Sequence, residues 1–196
     1  MRAGFNMRGK HAFALAGVLA VWFAASGAHS QGGAGLPDPA TVVKPQAYVS
    51  TEPIPKGKEF QIAVVVEIAR GFHMNSHKPA DEYLIPTSLT AQLPAGFQLA
   101  DTLYPEGKLE RFSFSPNKAL DVYTGRVTLK MRLTAQGNAP LGPTTIPLTL
   151  RYQACNDAAC LPPVKVPVMV PVSVAVAGAK AQALHPELFS APDKKS

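Results

Sequence analysis

Two cysteines, the only two in 196 residues, stand five positions apart in Arg151-Tyr152-Gln153-Ala154-Cys155-Asn156-Asp157-Ala158-Ala159-Cys160-Leu161-Pro162-Pro163. Residues of this type at this spacing suit one chemistry, the cycle between dithiol and disulfide. A bond between them closes a ring of about six residues, for which the loop-entropy model gives only ~2 kcal/mol of stabilisation. Such a bond is a weak staple and is of more interest as a reacting group. Pro162-Pro163 restricts the chain just after Cys160 and holds that sulfur in a fixed direction. No helix N-terminus is evident nearby, and Asp157 lies between the sulfurs. Both features oppose the strongly lowered thiol pKa of a Cys-x-x-Cys oxidant. The segment therefore predicts a passive relay that exchanges when an activated thiolate attacks. Spacing alone leaves a second reading open, a small surface cystine with no turnover.

Other side chains offer less. His73, His77 and Met74 together with the cysteines make a soft set suited to copper(I) or zinc. The His-x3-His spacing has that meaning on a helix, whereas this segment follows a strand and contains Asn75-Ser76. No metal ligands are assigned on this reading. Asp81-Glu82 could suggest paired carboxylates, but adjacent residues on a strand point to opposite faces. Ser88, Ser113 and Ser115 lack a nucleophile-elbow context, and no glycine-rich phosphate loop is present. Dithiol exchange requires no organic cofactor.

The elements that must hold the cysteines read as strands. Nineteen prolines break the chain into short apolar runs, which long amphipathic helices do not tolerate. Phe60 to Ile68 is expected to be a strand buried on nearly both faces. Ser88 to Leu93 and Phe97 to Leu103 flank the turn Pro94-Ala95-Gly96. Val122 to Leu133 alternates, with Val127, Leu129, Met131 and Leu133 on one face and Arg126, Thr128, Lys130 and Arg132 on the other. Pro143 to Ala154 and Val164 to Val176 supply two strands around the cysteine loop. Pro167 and Pro171 make the second an edge or bulged strand. If these two pair antiparallel, Cys155 and Cys160 face each other near the end of a hairpin, within disulfide reach. About seven strands with turns between them predict an all-β, two-sheet sandwich. The inter-sheet cystine of an ordinary immunoglobulin domain is missing, and the single tryptophan, Trp22, lies far upstream in the chain.

Residues 1–30 read as a secretory signal peptide. Arg2, Arg8 and Lys10 precede an apolar run of fourteen from Ala12 to Ala25, short of the ~20 residues of a membrane-spanning helix. Ala28-His29-Ser30 fits a small-x-small cleavage pattern, with Ser26-Gly27-Ala28 as an alternative; an uncleaved anchor is the rival reading. Cleavage after Ser30 leaves 166 residues. Net charge falls from +6 to +3, because the segment holds three of the 19 basic residues and none of the 13 acids. The remaining Lys and Arg are scattered, which argues against nucleic acid as a partner. Residues 31–41 are expected to be a flexible leader, 42–177 the sandwich, and 178–196 a polar tail with one helical turn near Pro186 to Phe189. An even cysteine count in an exported chain allows a disulfide.

Tyr152-Gln153-Ala154-Cys155 followed by Cys160-Leu161-Pro162-Pro163 resembles the signature of the N-terminal periplasmic domain of the DsbD family of thiol:disulfide interchange proteins. The likeness extends to Gly71-Phe72-His73-Met74-Asn75, Asp81-Glu82-Tyr83-Leu84-Ile85-Pro86-Thr87, Tyr104-Pro105-Glu106-Gly107 and Val122-Tyr123-Thr124-Gly125. It covers roughly Val42 to Val176. The resemblance implies an immunoglobulin-like β-sandwich in the periplasm, with Cys155 and Cys160 as the exchanging sulfurs. It implies electrons taken from a membrane-embedded thiol reductase and handed to periplasmic thioredoxin-like proteins. It also implies a cap loop over the pair, placed at Asp101 to Gly107 with Leu103 and Tyr104 shielding. His73, Asn75 and Tyr152 would stand near the site or wall it. Leu103 occupies the position where the family's phenylalanine is expected. No membrane bundle or thioredoxin domain follows in this chain, so the reductase is expected in trans. The alternatives are an exported binding module with a purely structural disulfide, and a copper- or zinc-binding protein.

Overall fold

The computed structural model describes residues 36–190. The expected signal over residues 1–30 with Trp22, the first part of the leader (31–35) and the end of the tail (191–196) lie outside the described residues.

The fold is an all-β, immunoglobulin-like sandwich. Its first sheet places β1 (Val43–Val49), β4 (Lys58–Ile68), β10 (Arg126–Ala135) and β7 (Phe97–Leu103) side by side, all antiparallel. The second orders β3 (Ile54–Pro55), β13 (Val164–Ala175), β11 (Gly142–Tyr152) and β6 (Ser88–Ala91). Side chains alternate across each strand, and one set from each sheet meets in the core. From the first come Phe60, Ile62, Val64, Val66, Leu129, Met131 and Leu133. From the second come Ile146, Leu148, Leu150, Val168, Val170 and Val172. The expected burial of Phe60 to Ile68 on both faces holds, since Ala63 and Val65 on the outer side are also buried.

The C-terminal segment covers that outer side. β14 (Gln182–Ala183) pairs with β2 (Thr51–Glu52), and the helical turn α1 (Pro186–Phe189) lies against β4. Tyr48, opposite Ala63 in the ladder, meets His185 edge-on at 4.8 Å. The residues expected as a tail are thus docked from Gln182 to Phe189.

One strand expectation is corrected. Ser88–Ala91 and Phe97–Leu103 flank the Pro94-Ala95-Gly96 turn as expected, and they join opposite sheets. Val122 to Leu133 is not one strand. It divides at Gly125, whose φ of 66° is a left-handed value that side chains with a Cβ rarely adopt. Upstream of the break runs β9 (Ser115–Thr124); downstream runs β10. The expected inward face of β10 is otherwise correct, with Leu129, Met131 and Leu133 fully buried, though Lys130 is buried as well. Pro167 and Pro171 lie where β13 has no neighbour on its outer edge, because β3 joins only at Val174 and Ala175.

A third sheet was not foreseen. It orders β12 (Ala154–Cys155), β5 (His73–Asn75), β9 and β8 (Lys108–Phe112). β5 continues β4 past the turn at Ala69–Phe72, and β9 leads into β10 through Gly125. β12 continues β11, which belongs to the opposite sheet. The third sheet therefore joins the two halves of the sandwich at one end, and the cysteines sit on it.

Candidate functional site

β11 and β13 pair over their whole length, ending at Tyr152↔Val164. Beyond that point Cys155 and Cys160 form an antiparallel bridge and are joined by a disulfide, with Cα atoms 3.9 Å apart. The hairpin expectation is met, with one difference. Three steps lead from Tyr152 to Cys155 but four from Val164 back to Cys160, so Pro162-Pro163 takes up an extra residue. Around this irregularity Gln153 Nε2 donates to the Leu161 carbonyl at 3.2 Å, and the buried Leu161 enters the core. The ring itself is tied by Asn156, whose Oδ1 accepts from Ala158 N and Ala159 N at 2.9 and 2.8 Å. That is an Asx turn at the hairpin tip.

The two sulfurs are not equivalent. Cys155 is 1 % exposed, whereas Cys160 is exposed. Cys155 is held inside by its ladder partner His73, and Ala154 beside it pairs with Met74. Across the sheet run Cys160, Cys155, His73 and Thr124, one from each neighbouring segment, all on a single face.

A stack of three aromatic rings starts at His73 in this row. His73 stacks on Phe112 with centroids 4.0 Å apart, Phe112 stacks on Phe114 at 5.4 Å, and the planes are within 20° of parallel. Phe112 and Phe114 belong to the tight β8–β9 hairpin, whose tip is Ser113-Phe114. Ser113 Oγ donates to the Asp157 carbonyl at 3.0 Å, joining this tip to the cysteine ring. Phe112 is buried, with Leu120, Val122 and Leu84 packed around it, while Phe114 is 47 % exposed. Sequence reasoning missed both phenylalanines. The available signal was the aromatic pair around Ser113, just before Pro116.

Asp101, Leu103 and Tyr104, the residues expected in a cap, lie at the end of β7 and just beyond it. Asp101 lies in β7 of the first sheet and pairs with Arg132 at 3.2 Å. Leu103 is the last residue of that strand, opposite Lys130. Tyr104 stacks on His77 at 3.6 Å and its hydroxyl accepts from Leu89 N at 2.9 Å. Burial raises the Tyr104 pKa, partly offset by that hydrogen bond. The ladder from Phe97 to Leu103 keeps this segment with the sandwich, and the hairpin that follows it meets the cysteine ring through Ser113.

Of the remaining expected neighbours, His73 adjoins the disulfide. Asn75, two residues on, is buried and serves the following loop: Nδ2 donates to the Ile85 carbonyl at 3.0 Å, and its carbonyl accepts from Thr87 Oγ1 at 2.6 Å. Tyr152 is a core residue. Its hydroxyl donates to the Pro39 carbonyl at 2.8 Å, and burial, aided by the Asp38 charge, pushes its pKa up to about 12. His73 and His77 do not converge, because each stacks on a different ring. Among the described residues no three His, Cys, Asp or Glu side chains form a group that could hold a metal ion. Asp81 lies in a loop, where the Tyr83 backbone N–H and then Lys118 hold its carboxyl below the usual range.

His73 is buried, and that desolvation holds its pKa below 6.5, opposed by the charge of Asp157. Its Nε2 has no hydrogen-bond partner. Beside it opens a cleft of about 460 Å³ lined by Arg70, Phe72, Glu110, Phe112, Thr124 and Asp157, among others.

An immunoglobulin-like sandwich with a hairpin-tip cystine, one cysteine buried and the other exposed, fits the class of thiol:disulfide interchange domains. Residues 39–170 match the family described as "Thiol:disulfide interchange protein DsbD, N-terminal", and the chain belongs to that family. Among solved structures it is similar to the Neisseria meningitidis DsbD N-terminal domain in the reduced form. That match has 19 % identity over 76 % of this chain and 94 % of the other, with a TM-score of 0.44. It is also similar to the N-terminal periplasmic domain of ScsB from Proteus mirabilis. Here identity is 13 % over 70 % of this chain and 49 % of the other, with a TM-score of 0.43. No curated protein sequence matches the chain.

Proposed function

We propose that this domain relays electrons in the periplasm, from a membrane-embedded thiol reductase to thioredoxin-like proteins, through the Cys155–Cys160 pair. The observation that carries the reading is the asymmetry of the two sulfurs. A visiting thiolate meets the exposed Cys160 first. Its sulfur bonds to Cys160 Sγ, the internal bond breaks, and the electron pair leaves on Cys155. A second thiolate of the visitor then releases the mixed disulfide and leaves the domain reduced. Delivery to an oxidised acceptor runs the same steps backwards, with Cys155 resolving the mixed disulfide at Cys160. Phe112 and Phe114 shield the pair between encounters, and the Ser113 bond to Asp157 keeps the shield seated. Export of the domain is by the signal at residues 1–30.

Partner trapping in the native cell tests this. A Cys155→Ser chain retains the reachable sulfur but has nothing to resolve an adduct, so it should accumulate mixed disulfides with thioredoxin-like proteins. A Cys160→Ser chain, with only the buried sulfur, should accumulate far fewer. Absence of adducts from both, with the native pair oxidised under every growth condition, would leave only a structural cystine.

A further inference from the structure

Attack on Cys160 places a negative charge on Cys155, which is 1 % exposed. A thiolate there is cut off from bulk water, and apolar surroundings raise a thiol's pKa and disfavour its departure as an anion. One polar atom close by has nothing to bond. His73 stands directly opposite Cys155 in the β5–β12 ladder, so the two side chains share a face, with Cβ atoms roughly 4.5–5.5 Å apart. The imidazole is fixed by its stack on Phe112, and its buried Nε2 lacks a partner. Leaving a buried polar atom unsatisfied is costly, and such atoms are rare in folded proteins. A partner that exists in only one redox state accounts for it.

We infer that His73 is the hydrogen-bond partner of the Cys155 sulfur once the disulfide opens, its Nε2–H stabilising the thiolate that attack on Cys160 expels. This rests on the exchange reading above. The step balances without proton transfer: the incoming thiolate bonds to Cys160 Sγ, the Cys155–Cys160 bond breaks, and its electron pair stays on Cys155 Sγ under the N–H. In the reverse direction the same bond holds Cys155 as the attacking thiolate. The ring is neutral at pH 7, because burial depresses its pKa more than Asp157 raises it. The charged groups around it are Asp157 from the cysteine ring, Glu110 from β8 and Arg70 from the turn before β5, all lining the same cleft. Thr124, its other ladder neighbour on β9, is uncharged. When pH falls through the depressed pKa, the imidazole becomes a cation and favours the departing thiolate further.

The test is reduction of the oxidised protein by dithiothreitol, with each rate divided by the concentration of dithiothreitol thiolate. His73→Phe keeps a ring to stack on Phe112 but has no N–H; His73→Gln restores a donor. At pH 7 the first should react about tenfold more slowly than wild type, the loss of one hydrogen bond to a charged group, and the second should recover most of that. The normalised wild-type rate should rise in acid, while that of His73→Phe stays flat. Nitrogen-15 NMR of the wild-type protein, which needs no substitution, should show the His73 Nε2 resonance shift on reduction, with its proton protected from exchange. Equal normalised rates for wild type and His73→Phe, or an Nε2 resonance identical in the two redox states, would overturn the role of His73 alone. A wild-type disulfide that dithiothreitol cannot open would overturn the exchange reading together with it.

Discussion

The shielding proposed for the sulfurs depends on a few atoms. Phe114 is half-exposed and its removal leaves the core intact, so Phe114→Ala should cost less than about 1 kcal/mol in stability. The same change uncovers the cystine, and small thiols should open it several-fold faster than in wild type. Ser113→Ala removes one neutral hydrogen bond, worth about 0.5–1.5 kcal/mol, and should have a smaller effect of the same sign. Alkylation or reduction rates measured beside melting curves separate access from stability. His73 adds a pH dependence to the fold itself. Its folded-state pKa lies below the unfolded value near 6.5, so the unfolded chain binds the proton more readily. The stability it contributes is complete above pH 6.5 and is lost as pH falls from there to the depressed value. Melting temperatures between pH 7.5 and 5 should drop more for wild type than for His73→Phe.

Between strands, the decisive feature is the pair of redirections that build the third sheet. β4 bends at Ala69–Phe72 and β9 passes into β10 at Gly125, side by side, since Ile68 N donates to the Gly125 carbonyl at 2.7 Å. Gly125→Ala meets open space but keeps φ at 66°, so it should destabilise by about 1–2 kcal/mol from backbone conformation alone. Leu150→Ala, deep between the two large sheets, should cost about 2–5 kcal/mol. Denaturant titration of both variants distinguishes the two origins. If the third sheet opens by itself, Gly125→Ala should also raise hydrogen exchange at His73 to Asn75 more than in the sandwich core.

For the molecule as a whole, the proposed relay requires a domain that survives many redox cycles without unfolding. Its stability resides in the two apposed sheets, whose buried residues run from Val42 to Val174, while the disulfide closes only a six-position segment at one end. Reduction, or replacement of both cysteines by serine, should therefore lower stability by no more than about 2 kcal/mol and leave the far-ultraviolet spectrum unchanged. A chain that melts on reduction would be one whose cystine is structural. The docked segment from Gln182 to Phe189 pairs with β2 and lies against β4, adding to the scaffold there.

The sandwich class, the inward face of β10, the strands β11 and β13, and the hairpin that brings Cys155 to Cys160 were legible from residue order alone. Those features follow from local rules: side-chain period, proline and glycine punctuation, and short sequence separation. What covers the sulfurs was not legible. Strict alternation starts only at Arg126, and Gly125 was the available sign of a bend, but a local pattern does not say that β9 and β10 join different sheets. Once that break is made, the β8–β9 hairpin brings Phe112 and Phe114 onto His73 and Ser113 to Asp157, while Tyr104 stacks on His77. The burial of Cys155, the exposure of Cys160 and the unpartnered nitrogen of His73 likewise arise only where segments distant in the chain meet. Long-range strand pairing decides them, because a ladder position is set by both partners and is written in neither one.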